Sequence, residues 1–194
     1  PLTADRGPAA RRSGPFSDVG EGERQMDILV SACLLGTLCR YDGASRPCGE
    51  LARLEVLGHR LIPVCPEVMG GLPTPRPPAE LQRDGRVVDR AGKDVTEAYR
   101  LGAEEVLELA RAHRCTLAVL KERSPSCGRG QIYDGSFTGR LTEGSGVTAR
   151  LLEEHGVQVY GESEAGTLAE RGEAREEGQR ASRPLPSKYP GKND

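Results

Sequence analysis

Three short stretches carry a cysteine just after a run of apolar, partly β-branched residues. They are Val30-Ser31-Ala32-Cys33-Leu34-Leu35-Gly36, Ile62-Pro63-Val64-Cys65-Pro66-Glu67 and Lys121-Glu122-Arg123-Ser124-Pro125-Ser126-Cys127-Gly128, the last preceded by Leu117-Ala118-Val119-Leu120. Each run breaks at once into Gly, Pro or Ser, which is how a buried strand reads where it ends in a loop bearing a functional side chain. If the three strands lie parallel in one sheet, Cys33, Cys65 and Cys127 emerge at the same edge. That is the edge at which open α/β sheets bind ligands.

The rest of the chain supports this layout. Ile28-Leu29-Val30 reads as the first strand, residues 49–57 as a short helix, and Leu61-Ile62-Pro63-Val64 as the second strand. Between Met69 and Pro78 four prolines fall within six residues, a stiff loop able to wall a pocket beside Cys65. Arg86 to Asp89 reads as a small strand with a turn. Asp94-Val95-Thr96-Glu97 resembles a capping box, and Val95, Ala98, Tyr99, Gly102, Val106, Leu109 and Ala110 then recur at helical spacing to about His113. Leu117 to Leu120 is the third strand; the glycine-rich stretch 128–139 is read as irregular. Ser145 is expected to cap a helix from Val147 to about His155, followed by the last strand, Val157 to Tyr160. Strands alternating with helices and long crossovers give an α/β fold: a single Rossmann-like, doubly wound domain with a mainly parallel central sheet.

Residues 1–25 and 163–194 are rich in Pro, Gly, Arg, Glu and Ser without an apolar stripe, and are expected to be disordered tails around a domain at 26–162. The formal charge of -2 gives no general pull toward nucleic acid, and no apolar run approaches the ~20 residues of a membrane span. With no apolar stretch suggesting a secretory signal, a cytoplasmic protein is expected. Six cysteines in such a compartment are expected to be reduced, metal-bound or reactive rather than disulfide-paired.

Cys39, Cys48 and Cys115 do not fall at the expected ligand-binding edge and are read as free thiols, Cys115 as a small buried hydrophobe. Three thiolates with a vacancy suit a catalytic zinc with an open fourth position, or an iron–sulfur cluster with one iron free; residue order does not choose between them. Arg40 and Asp42, in the loop after Cys33, are candidate substrate contacts, and equally read as a turn held by its own side chains.

The motifs SACLLG (31–36), CRYDG (39–43), PVCPEVMGGLPTPRPPAE (63–80), DVT (94–96), SPSCG (124–128), IYDGSFTG (132–139) and GVTA (146–149) strongly resemble the bacterial 2-thiouracil desulfidase family, long known as a domain of unknown function. The resemblance spans about 26–162. It implies an enzyme with a [4Fe-4S] cluster held by Cys33, Cys65 and Cys127, desulfurating a thiolated pyrimidine to the oxo base and hydrogen sulfide without net redox. On that chemistry Glu67 is the expected general base, and Ser124 and Ser126 are expected to hydrogen-bond the ring or the cluster sulfurs. The partner is then a small thiolated heterocycle, with no nucleic acid or membrane. The alternative is a sulfur- or zinc-carrying thiol protein that delivers its cargo to a partner.

Overall fold

The structure is a computed structural model that describes residues 25–172. Strand β1 (Asp27–Ser31) lies inside a parallel sheet, between β2 (Arg60–Val64) and β5 (Leu117–Leu120), with β8 (Gln158–Gly161) beyond β5. The order β2-β1-β5-β8 reverses direction between β1 and β5, which is the switch point where doubly wound sheets open a crevice. Pro63 sits within β2 opposite Val30. It is tolerated because β2 is an edge strand, so the missing N–H breaks no second ladder.

Successive side chains of the two inner strands feed opposite faces, as the pleat requires. Leu29, Ala118 and Leu120 join Val106, Leu107 and Ala110 of α3 (Thr96–Ala112) and Ala149 and Leu152 of α4 (Val147–Glu154). Ile28, Val30 and Val119 join Leu51 and Leu54 of α1 (Leu51–Val56) on the other side. The sheet is therefore covered on both faces, in agreement with the α/β, mainly parallel architecture expected from the sequence.

Several local expectations are corrected. The domain does not stop at 162: a helix at 165–172, α5, lays Ala165 and Ala169 at 0% exposure into the α1 face of the core. Two alanines at i and i+4 among charges bury enough to dock a helix but leave almost no apolar signal. The expected arm at 1–24 and the tail beyond 172 lie outside the described residues. The strand read at 86–89 is β4 (Val87–Asp89), and its antiparallel partner β3 (Ala79–Leu81) follows the prolines directly. The stretch 128–139, read as irregular, contributes β6 (Gln131–Tyr133), which pairs in a second small hairpin with β7 (Leu141–Glu143) just beyond it. Strands of three residues, with β7 wholly exposed, carry no alternation to read.

A one-turn helix, α2 (Pro66–Met69), follows Cys65 and crosses α3 at two glycines. A Cβ on Gly102 would sit 1.9 Å from the Pro66 carbonyl oxygen, and one on Gly70 1.9 Å from that of Ala98. Backbone cannot rotate out of such a contact. Gly102→Ala would gain about 1 kcal/mol of helix propensity on a free helix, yet here we expect a net loss of about 1–3 kcal/mol through overpacking. Thermal unfolding checks it: a melting temperature equal to or above that of the parent chain would show the crossing to be looser than described.

Candidate metal centre at the sheet edge

The three sulfurs arrive by three different local devices. Beyond β1, residues Ala32–Leu35 form a 3-10 turn closed by Gly36 at φ 95°, which turns the chain back and leaves Cys33 7% exposed. Beyond β2, Cys65 is still extended when Pro66 opens α2, so the thiol and the Glu67 carboxylate stand on one short strand-to-helix junction. Beyond β5, the Ser124–Gly128 turn carries Cys127, 6% exposed. Its carbonyls receive the first amides of α4: Val147 donates to Pro125 at 3.0 Å and Thr148 to Ser126 at 2.9 Å. Those amides have no partner within the helix, so the turn and the helix stabilise each other.

Gly146, not Ser145, is the N-cap of α4. A Cβ there would lie 2.4 Å from the Ser126 carbonyl oxygen, so only glycine lets the helix seat against the cysteine turn.

The thiols sense one another. Burial first, then the charge of Cys65, pushes the Cys33 thiol up, while the cations Lys121 and Arg40 pull it down. Burial dominates at Cys127, which is also raised by Glu67, Cys33 and Cys65 and lowered by a hydrogen bond from Ser31. The same Ser31 hydroxyl oxygen accepts the Lys121 amide at 2.9 Å, tying the ends of β1 and β5 together. Cys33 and Cys127, whose ionisation is opposed by burial and neighbouring negative charge, need a cationic group before both can be thiolates.

Among the described residues, however, no three His, Cys, Asp or Glu side chains gather as the ligand shell of a single metal ion. A tetrahedral zinc holds its sulfurs at about 2.3 Å from one point, whereas a cluster takes each cysteine on a different iron. Cys33, Cys65 and Cys127 follow the C-terminal ends of the adjacent parallel strands β1, β2 and β5, on one edge of the sheet.

Glu67 is held from two sides. Arg76 Nε donates to its Oε2 at 2.7 Å, with the two side chains 6% and 15% exposed. The Tyr99 hydroxyl, buried on α3, also hydrogen-bonds the carboxylate; burial and the Glu67 charge push its ionisation far up, so it stays a neutral donor. Of the other residues singled out in the sequence, Ser124 Oγ accepts the amides of Ser126 and Cys127, each at 3.1 Å. Ser126 is fully buried and shares a 2.9 Å hydrogen bond with Thr148, so its hydroxyl anchors the turn to α4 rather than facing a substrate. Arg40 forks onto Asp42 at 3.2 and 3.0 Å, and Asp42 also accepts the Ala44 amide at 3.1 Å. Asp42 is thus spent on its own turn, while Arg40 remains close enough to lower Cys33.

Residues the sequence did not single out also reach the site. Cys39, read as a thiol away from the site, is buried against Cys65: their side chains hydrogen-bond, and Cys65 Sγ donates to the Cys39 carbonyl at 3.7 Å. Burial and the Cys65 charge push Cys39 up to about 12. Arg76 is the one charged residue within Leu72–Pro78, and Tyr99 the one aromatic on α3; both signals were present but pointed to no target. Cys115 is buried beside the start of β5, at the other end of the sheet. No described helix is long and apolar enough to cross a membrane.

Comparison with known proteins agrees with the fold and gives the family. A structure described as a [4Fe-4S]-dependent thiouracil desulfidase, TudS, superposes with a TM-score of 0.70 at 48% identity, covering 76% of this chain and 97% of that one. The uncharacterized protein YbbK of Bacillus subtilis (strain 168) is 44% identical over 146 residues, which is 71% of this chain and 96% of YbbK. The sequence profile of the 2-thiouracil desulfurase family matches residues 28–164, and the chain belongs to that family.

Proposed function

We propose that this chain holds a [4Fe-4S] cluster on Cys33, Cys65 and Cys127 and hydrolyses the C=S bond of a small thiolated pyrimidine such as 2-thiouracil. Thiobase and water give the oxo base and hydrogen sulfide, with no electron donor or acceptor. When bound, a cluster with one iron free of protein ligand supplies a thiophilic Lewis acid that polarises the thiocarbonyl.

The chain's own residues do the rest. Glu67, its Oε2 engaged by Arg76, keeps lone pairs for a water proton and acts as general base toward the ring carbon. Ser124 accepts two amides through its oxygen, which leaves its O–H to donate to the ring. Arg40 lines the Cys33 side and offsets thiolate charge. Ser126 holds the turn through Thr148. The observation that carries the reading is that Cys33, Cys65 and Cys127 follow the C-terminal ends of the adjacent parallel strands β1, β2 and β5, with the Arg76-bound Glu67 two residues beyond Cys65.

Protein purified without oxygen is expected to be brown, to contain about four irons per chain, and to release sulfide and uracil from 2-thiouracil. Colourless protein with stoichiometric zinc and no sulfide release would overturn the proposal in favour of a thiol carrier.

A further inference from the structure

We infer that Arg76 is the positioning residue for the Glu67 carboxylate, and that it locks this carboxylate to the loop bearing Cys39 so that base and sulfur set hold one geometry. The inference rests on the reading of Glu67 as the base.

The guanidinium of Arg76 is almost wholly buried and makes four hydrogen bonds. Nε donates to Glu67 at 2.7 Å, Nη2 to the Cys39 carbonyl at 3.0 Å, and Nη1 to the Pro73 carbonyl at 3.1 Å and Thr74 Oγ1 at 3.2 Å. Its backbone amide donates to the Tyr41 carbonyl at 2.8 Å. These partners come from three segments: α2, the proline loop, and the loop after Cys33. A buried guanidinium is costly unless its donors are met and its charge is balanced. Here the balancing charge is the very carboxylate that stands beside Cys65 and within range of Cys127.

Prolines at 73, 75, 77 and 78 limit the backbone around Arg76, so the fork is presented with little conformational freedom to lose. Only a planar fork can reach Glu67 and the Cys39 carbonyl in two directions at once; an ammonium is a single point charge. Without Arg76, Glu67 would stand among thiolates with no counter-charge and only Tyr99 to orient it.

The test uses anaerobically prepared, cluster-loaded protein with 2-thiouracil. Arg76→Met should keep its iron content and absorbance, keep KM within a few-fold, and lose about 100-fold in kcat, as a misplaced catalytic group does. Hydrogen exchange at the Leu72 amide, bonded to the Glu67 carbonyl at 3.0 Å, should be unchanged, showing α2 in place. Adding Arg76→Met to Glu67→Gln should cost nothing further, because Arg76 acts through Glu67. Millimolar guanidinium should restore part of the activity of Arg76→Ala. Losses that multiply in the double variant, or iron lost in step with activity and faster exchange in α2, would overturn the inference. Full turnover in Glu67→Gln alone would instead remove the reading of Glu67 on which it rests.

Discussion

Cys33→Ala, Cys65→Ala and Cys127→Ala are each expected to yield a chain that retains almost none of its iron and releases no sulfide from 2-thiouracil. Each thiol comes from a different strand end, so none can be replaced by a neighbour in its own loop. A cluster on three protein ligands has no redundancy; removing one leaves two attachments and a second iron open to solvent. The comparison variants make the result specific. Cys115→Ala alters a buried thiol at the start of β5, away from the other sulfurs, and should keep the iron. Cys39→Ala should also keep it, although Cys39 lies against Cys65, because it follows no strand of the parallel sheet whereas the other three each do. Iron and acid-labile sulfide per chain, measured before any assay, decide the matter. Full iron in any of the three strand-end variants, or its loss in Cys39→Ala, would redraw the ligand set to include Cys39.

The strand ends were legible because a parallel strand covered on both faces has to be apolar at every position. Ile28-Leu29-Val30 and Ala118-Val119-Leu120 therefore announce themselves, and Cys33 and Cys127 lie in the loops that follow them. The place of Cys39, a free thiol as expected, was not legible for the opposite reason. It follows no strand, and only the fold of the 36–44 loop brings it beneath Cys65. Ser126 shows a further limit. A serine flanking a cysteine suggests chemistry, but its hydroxyl meets Thr148, distant in sequence, at the start of α4. Ser145 reads as the cap of α4, whereas Gly146 holds that place because a carbonyl oxygen lies 2.4 Å from where its Cβ would be. Local pattern carries the period of a strand or helix; it does not carry the contacts between elements. Arg76 belongs to the same class: a lone arginine among prolines looks like a solvated loop residue until Glu67 and the Cys39 carbonyl are brought to it.

Glu67→Gln is the second large effect: the cluster should load normally and turnover should fall about 10²–10⁴-fold, the range associated with losing a general base. Glutamine keeps the length and an oxygen for Arg76 Nε, so the shape of the site survives while the proton acceptor does not. The substitution has a structural cost too. The pair is buried, and removing one charge from such a pair commonly costs about 3–5 kcal/mol because the other is left uncompensated. Melting temperature must therefore be measured beside kcat, with Glu67→Asp as the second variant. Aspartate preserves the counter-charge for Arg76 but withdraws the carboxylate by one methylene from the water it would activate. A general base predicts intact iron in both variants, near-parental stability only in Glu67→Asp, and impaired kcat in both. A carboxylate that merely neutralised Arg76 predicts that Glu67→Asp recovers stability and turnover together. Normal turnover in Glu67→Asp with a collapsed melting temperature in Glu67→Gln would reduce Glu67 to a counter-ion and send the search for the base back to the thiol-facing loops.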